Sequence, residues 1–167
     1  TIKELGDFTN RINKFDHGTP VYVDGPYGIF SIEEYQAPGY VFIAGGIGSA
    51  PFMSMLRTLA DRGDQRPLYF FYGNFNWEQV TFRKELADLE QRLNLKVIYV
   101  LEKPSIDWEG ESGYITADIF ERYLPEDHQK FLYLICGPLP MFPPIKAALH
   151  EIAIPNYRIH QERYKMA

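Results

Sequence analysis

The stretch Tyr40-Val41-Phe42-Ile43-Ala44-Gly45-Gly46-Ile47-Gly48-Ser49-Ala50-Pro51 decides the fold. Its first five residues are apolar without alternation, which predicts a strand buried on both faces. Gly45, Gly46 and Gly48 end the strand. Pro51 suits the first turn of a helix, which the pattern carries to about Arg62. Phe52, Met55, Leu56 and Leu59 then share one helix face. Two readings of the glycine loop stay open. It brings backbone amides and the positive end of a helix to a phosphate, or it is simply a tight strand-to-helix turn. It is neither the dinucleotide fingerprint G-x-G-x-x-G, since its glycines are spaced G-G-x-G, nor a P-loop, since no Lys follows them.

The same rhythm repeats downstream. Leu68-Tyr69-Phe70-Phe71-Tyr72 predicts a second strand, ended by Gly73. Residues 78–93 read as helix, with Phe82, Leu86, Leu89 and Leu93 spaced four, three and four. Residues 95–101 are a third strand, and Thr116 caps a short helix carrying Ile119, Phe120 and Tyr123. Residues 131–136 are a fourth strand. A helix through Ile145, Ala148, Leu149 and Ile152 follows, then a last strand over 157–161. Alternating strands and helices imply an α/β fold: a doubly wound, five-stranded parallel sheet covered on both faces. Ligands of such sheets sit outside the carboxyl ends of the strands.

Residues 1–32 differ in character. Gly6-Asp7-Phe8-Thr9 opens a helix-like run over 10–15, with Asp7 or Thr9 able to cap it. Val21-Tyr22-Val23 predicts a strand, closed by the turn cluster Gly25-Pro26-Tyr27-Gly28. These pieces cannot build a core of their own. They read as the end of another domain, with a boundary between 1–32 and 33–167. The chain also opens on Thr1 in patterned sequence, as expected of a piece of a longer polypeptide.

Composition narrows the function. The 167 residues are 46 % hydrophobic and 23 % charged, which is globular and neither disordered nor fibrous. A single Cys excludes a disulfide framework and a cysteine-based zinc cluster. His17, His128, His150 and His160 have no metal-ligand spacing, so no metal is expected. A net charge of −5 argues against a nucleic-acid partner. No apolar run approaches the roughly 18 residues of a membrane span.

The informative feature is an ordered set of short motifs. Gly6-Asp7-Phe8-Thr9, Gly25-Pro26-Tyr27-Gly28-Ile29-Phe30, the Gly45–Pro51 loop, Tyr72-Gly73-Asn74, Phe82-Arg83-Lys84-Glu85-Leu86, Cys136-Gly137-Pro138-Leu139-Pro140-Met141 and Glu162-Arg163-Tyr164 follow one another along the whole chain. The set resembles the ferredoxin–NADP reductase superfamily, and within it the ferric-reductase and NADPH-oxidase-like flavocytochrome branch and its flavoreductase relatives. The resemblance implies a flavin-binding β-barrel, of which 1–32 matches the tail, followed by a nicotinamide-dinucleotide domain. It implies hydride transfer from NADH or NADPH to flavin (FAD in the full-length protein), then release of single electrons to a metal, haem or iron–sulfur acceptor. By resemblance, Gly6, Asp7, Phe8 and Thr9 contact flavin. Gly45, Gly46, Ile47, Gly48, Ser49 and Pro51 cradle the dinucleotide diphosphate, and Gly73 and Asn74 border it. Cys136, the catalytic candidate, lies beside the nicotinamide ring, with Gly137, Pro138 and Met141 shaping the pocket. Glu162, the second candidate, and Tyr164 form an acidic–aromatic pair near the rings. The implied partners are the dinucleotide and the flavin domain of the same polypeptide. The implied location is cytoplasmic, with any membrane contact made through parts outside this chain.

The chain departs from the family pattern in four places. Most of the barrel, with its flavin-binding arginine, is absent, so these residues alone are expected not to hold flavin tightly. Phe75 stands where many relatives carry Arg. Leu101-Glu102 stands where NADPH-preferring members show Ser-Arg; a carboxylate there repels a 2′-phosphate and favours NADH, with Lys103 and Arg83 able to offset it. Phe142-Pro143-Pro144 interrupts the loop that in relatives enters a helix directly. That predicts an extended 137–143 and a helix from about Pro144. Trp77 and Trp108 are read as packing anchors, 107–111 as a solvated loop, and Phe30 as either core or domain boundary. Two other classes stay in play: a nucleotide-binding regulatory domain of the same fold without redox activity, and an unrelated interaction module that merely uses glycine turns.

Overall fold

The computed structural model describes residues 2, 4, 6–25 and 27–164. Pro26 of the predicted turn cluster and the side chain of Tyr164 lie outside the described residues. Six strands form one sheet: β1 (Tyr40–Gly45), β2 (Leu68–Asn74), β3 (Leu95–Leu101), β4 (Glu111–Ser112), β5 (Leu132–Pro138) and β6 (Ile159–Tyr164), in the order β4-β3-β2-β1-β5-β6. Every pairing is parallel. The helices are α1 (Ser49–Asp61), α2 (Arg83–Arg92), α3 (Ala117–Tyr123) and α4 (Phe142–Glu151).

Two apolar layers cover the two faces. Phe42, Phe70, Leu134 and Cys136 meet Phe52, Leu56 and Leu59 of α1 and Leu86 and Leu89 of α2. Val41, Ile43, Phe71 and Ile135 meet Phe120 of α3 and Ile145 and Leu149 of α4. The first layer is rich in rings: Phe52 contacts Phe42 at 5.2 Å and Phe70 at 5.7 Å between centroids, a geometry that adds to their burial. Phe30 packs on Phe52 at 5.8 Å, which assigns it to this core. Trp77 and Trp108 pack against the same layer, 5.3 Å apart.

The sheet has six strands, one more than the sequence predicts. β4 is two residues long, too short for any periodicity to announce it. It pairs with Val100 and Leu101, and Trp108 Nε1 donates to the Glu111 carbonyl at 2.9 Å. Arg122 and the Tyr123 hydroxyl hold the Glu111 carboxylate. Val21-Tyr22-Val23 is not a strand: it has no pairing partner among the described residues, and Tyr22 is 97 % exposed. The run over 10–15 is a 3₁₀ helix (Thr9–Lys14), and Thr9 Oγ1 accepts from the Gly6 amide at 2.9 Å. Thr116 flanks α3 without a side-chain cap bond.

α2 starts five residues later than its apolar spacing predicts. Trp77–Gln79 is a 3₁₀ turn, closed by Asn76 Oδ1 accepting from the Gln79 amide. Val80 then dips into the core, and Thr81 bonds the Tyr72 hydroxyl at 2.8 Å. Phe82 turns through φ 60° before the helix begins. α4 starts earlier than predicted. A 3₁₀ turn over Leu139–Met141 runs directly into Phe142, so 139–143 are helical, not extended. Pro143 and Pro144 fall in the first helical turn, where the missing amides have no intrahelical acceptor to lose.

The carboxyl end of α4 closes with paired bonds, Ala153 N to His150 O and Ile154 N to Leu149 O. Ile154 and Leu149 are both buried. This is a Schellman closure, and it places Ala153 at φ 60°, where a Cβ is strained. Ala153→Gly therefore raises unfolding free energy by roughly 0.5–1 kcal/mol, measured by urea denaturation.

Candidate functional site

The strand order reverses at β1, whose neighbours β2 and β5 lead to opposite edges. A cleft of about 880 Å³ opens outside the carboxyl ends at this switch point. Gly45, Gly46 and Ile47 form one wall together with Pro138 and Met141, which lie against Gly45, and Gly73 and Asn74 form the floor. Gly46 turns at φ 53° and opens the helical stretch that continues into α1. The N-terminus of such a stretch carries a partial positive charge.

Three glycines make this geometry sterically possible. A Cβ on Gly48 would overlap the Cys136 carbonyl, so the start of α1 lies directly on the end of β5. A Cβ on Gly45 would meet Met141 Sδ at 2.6 Å, and one on Gly137 would meet Met141 Cε at 2.6 Å. The methionine side chain thus bridges the ends of β1 and β5 across the gap that the two glycines leave.

Cys136 pairs in register with Ala44 on one side and Glu162 on the other. Ala44 in turn pairs with Tyr72, and Tyr72 with Tyr99. The two catalytic candidates, 26 positions apart in sequence, are therefore cross-strand neighbours. Cys136 is 3 % exposed. Burial first, and the Glu162 charge second, push its thiol up to about 12. The side chain is accordingly a neutral thiol near pH 7, suited to packing beside an uncharged ring and unsuited to act as a nucleophile. Tyr99 in the same row is also pushed up to about 12, chiefly by burial.

The structure distributes the sequence-predicted residues unevenly. Gly45, Gly46, Ile47, Gly73, Asn74, Pro138 and Met141 line the cleft. Gly48 and Gly137 support its walls. Ser49 is fully buried, and Pro51 borders a separate cleft of about 410 Å³ beside Phe30 and Arg62. Gly6, Asp7, Phe8 and Thr9 form an exposed or half-exposed turn that is not part of the lining. The backbone of Tyr164 closes β6 opposite Pro138.

Several lining residues escape sequence reasoning: Tyr114, Ile115, Thr116 and Pro144 among them. Gly113, at φ 88° just after β4, swings Tyr114 to the rim; a glycine following a third-strand excursion was the available signal. Tyr114 is 69 % exposed, Phe75 is 42 % exposed, and both offer ring faces at the cleft mouth. The Tyr114 hydroxyl approaches Glu102 Oε2 at 3.4 Å. Glu102 and Glu151 are the charged residues of the lining. Lys103 sits over the Phe75 ring and Arg83 over the Trp77 ring, so Arg83 is engaged elsewhere.

A dinucleotide fits these residues. Asn74 Nδ2 is buried without a hydrogen-bond partner and belongs to the cleft floor, a donor suited to a ribose or phosphate oxygen. Among the described residues, no group of three potential ligands could hold a metal ion, and no helix is long and apolar enough to cross a membrane.

Gly137→Ala is expected to cost about 1–3 kcal/mol by overpacking against Met141. In a Met141→Ala background the cost falls below about 1 kcal/mol. Denaturant midpoints of the two single variants and the double variant measure this coupling.

Comparison with known proteins agrees with the geometry. Residues 42–146 match the family described as the oxidoreductase NAD-binding domain. The chain is 32 % identical over 148 residues to the anthranilate 1,2-dioxygenase electron transfer component of Acinetobacter baylyi, covering 88 % of this chain and 42 % of that protein. It is 30 % identical over 168 residues to NADH-cytochrome b5 reductase 1 of Cryptococcus neoformans, covering 93 % and 56 %. The chain spans about half the length of the curated relatives it matches. The fold superposes on the cytochrome b5 reductase domain of Ulva prolifera nitrate reductase with a TM-score of 0.83 at 23 % identity, covering 94 % of this chain and 64 % of that one. The narrower ferric-reductase branch is not singled out by these likenesses. The chain belongs to the oxidoreductase NAD-binding domain family.

Proposed function

We propose that this chain is the dinucleotide-binding part of a flavin-dependent electron-transfer reductase. The observation that carries the reading is the glycine-walled cleft at the switch point with the buried, unpartnered donor Asn74 Nδ2 in its lining; Cys136 and Glu162 are cross-strand neighbours that do not line it. When bound, the nicotinamide and FAD supply the redox chemistry, a hydride passing from one to the other and single electrons onward to a metal, haem or iron–sulfur acceptor. The chain's own residues bind and orient. Gly45, Gly46 and Ile47 present a backbone wall and a helix start to the diphosphate, and Asn74 donates from below. Phe75 and Tyr114 offer ring faces to the adenine. Gly137, Pro138 and Met141 close the side on which the nicotinamide would lie, with the neutral Cys136 thiol behind it.

Residues 1–32 are, in this reading, the C-terminal part of a flavin-binding barrel, and 33–167 the dinucleotide domain. Gly6, Asp7, Phe8 and Thr9 would face flavin, and Tyr164 would close the ring pocket. The exposure of Val21, Tyr22 and Val23 supports a missing partner surface. The parent protein would work in the cytoplasm or at the cytoplasmic face of a membrane, reached through other parts of the polypeptide. A ferric-reductase-like flavocytochrome is one form it could take. The competing reading, a regulatory module of the same fold, leaves the Cys136–Glu162 pair without a purpose.

Among the described residues the charged side chains of the lining are Glu102 and Glu151, with Lys103 at the mouth over the Phe75 ring. NADH is therefore favoured over NADPH. Calorimetric titration is expected to give the lower Kd for NADH, and Glu102→Gln is expected to narrow the preference roughly three- to thirtyfold. Tighter binding of NADPH by the wild-type chain would overturn the preference. With the flavin domain rejoined, Cys136→Ala is expected to slow flavin reduction about tenfold or more while changing the Kd for NADH less than about threefold, measured by stopped-flow absorbance. Dinucleotide binding without any flavin reduction in the rejoined wild type would favour the regulatory module.

A further inference from the structure

β6 is the edge strand on which Glu162 is carried, and among the described residues it is hydrogen-bonded to β5 alone. Its residues alternate between the two faces. Ile159 packs into the layer of α3 and α4, which turns His160 and Glu162 to the α1 side, the face of Leu134 and Cys136. His160 pairs with Leu134 and Glu162 with Cys136. One aromatic ring lies against this face of β6: the Tyr35 ring stacks on the His160 imidazole, 3.8 Å between centroids and tilted by 32°.

Tyr35 is itself anchored away from β6. Its carbonyl accepts from the Tyr40 hydroxyl at 2.9 Å. Arg66 donates to that hydroxyl and to the Ala37 carbonyl, each at 3.1 Å. The Arg66 guanidinium lies over the Tyr40 ring and pairs with the Asp64 carboxylate at 2.5 Å. Arg66 holds the Asp64 carboxyl below its ordinary range, as expected of a pair held in place. Ile32 and Ala37 on either side are buried, and Glu33 pairs with Arg62. Residues 30–39 are thus a strap fixed to the start of β1 and to the α1–β2 connection, with Tyr35 as the point that reaches β6.

We propose that Tyr35 is a positioning residue for the proposed hydride-transfer site: by stacking on His160 it fixes the edge strand β6 and sets the Glu162 carboxylate against the Cys136 thiol. The functional meaning rests on the reading above; the mechanical link between Tyr35 and the Cys136–Glu162 pair does not. The Glu162 charge disfavours the Cys136 thiolate, so the thiol reports where the carboxylate stands.

The test uses this 167-residue chain, whose single cysteine gives one ¹³Cβ resonance when labelled. The thiolate fraction at pH 10 is read from that resonance in wild type, Tyr35→Ala, Tyr35→Phe, Glu162→Gln and the Tyr35→Ala/Glu162→Gln double variant. Glu162→Gln is expected to raise the fraction about threefold or more. Tyr35→Ala is expected to raise it to a similar level, the double variant no further, and Tyr35→Phe to match wild type. Should Tyr35→Ala lose its cooperative melt, His160→Leu removes the stack while keeping β6 covered, and the same rise is expected. A wild-type thiolate fraction in Tyr35→Ala with only a lowered Tm would overturn the proposal. So would additive effects of Tyr35→Ala and Glu162→Gln, or no effect of Glu162→Gln. Failure of NADH to bind would sink the functional reading and leave this result standing.

Discussion

The site is organised by one close approach: the backbone at Gly48 lies on the Cys136 carbonyl, at a separation no side chain would permit. That contact ties the start of α1 to the end of β5, two elements nearly ninety residues apart in sequence. It fixes where the helix N-terminus opens relative to the switch point. Met141 repeats the device one layer out, filling the gap that Gly45 and Gly137 leave. The cleft walls on this side are consequently main chain, proline and thioether. Their shape depends mainly on packed backbone, with the adaptable Met141 side chain filling the gap between the glycines.

The same construction sets the electrostatics. A cleft whose charged lining, among the described residues, is two carboxylates holds an anion best through aligned backbone dipoles. Dipoles at a helix start are short-ranged, so they reward a phosphate seated on them and little else. A further phosphate out at the rim leaves the dipole field and enters that of Glu102. Burial works in the same direction at the inner end. The Cys136 thiol, shielded from water and facing Glu162, keeps its proton, and so adds no second negative charge beside the pair. The charge arrangement follows from the packing instead of being added to it.

How much of this is legible in the sequence depends on how local each cause is. The long central strands are legible because burial on both faces leaves an unbroken apolar run, and residues 95–101 coincide with β3. The glycine turn and Pro51 announce the start of α1 for equally local reasons. β4 is invisible, because its two residues are held by Trp108, Arg122 and Tyr123 rather than by a pattern of their own. The start of α2 is misread because Val80 and Thr81 make tertiary contacts that outweigh helical spacing. Pro143 and Pro144 suggest a break, yet both are accommodated in a first turn, which sequence cannot distinguish without the preceding Leu139–Met141 geometry. Val21–Val23 shows the opposite failure: a good strand pattern with no neighbour to pair with. For the site, motif order pointed to Gly45, Gly46, Ile47, Gly73, Asn74, Pro138 and Met141, a minority of the lining. It did not reveal that Tyr114 reaches the rim, nor that Cys136 and Glu162 are cross-strand register neighbours.

That last relation is a matter of register, and register is set by faces. Sliding β6 by one residue along β5 would turn Ile159 toward the α1 side and send His160 and Glu162 to the other. Two contacts oppose such a slip from opposite faces: Ile159 against the layer of α3 and α4, and His160 under Tyr35. Arg163 over the Phe142 ring and Arg158 on the Lys130 carbonyl add to this on an edge strand bonded on one side. The catalytic candidates therefore meet because an aliphatic residue and an imidazole, neither of them part of the cleft, prefer the surfaces they are given. The position of a carboxylate at the site is decided by packing two and three residues earlier in the same strand.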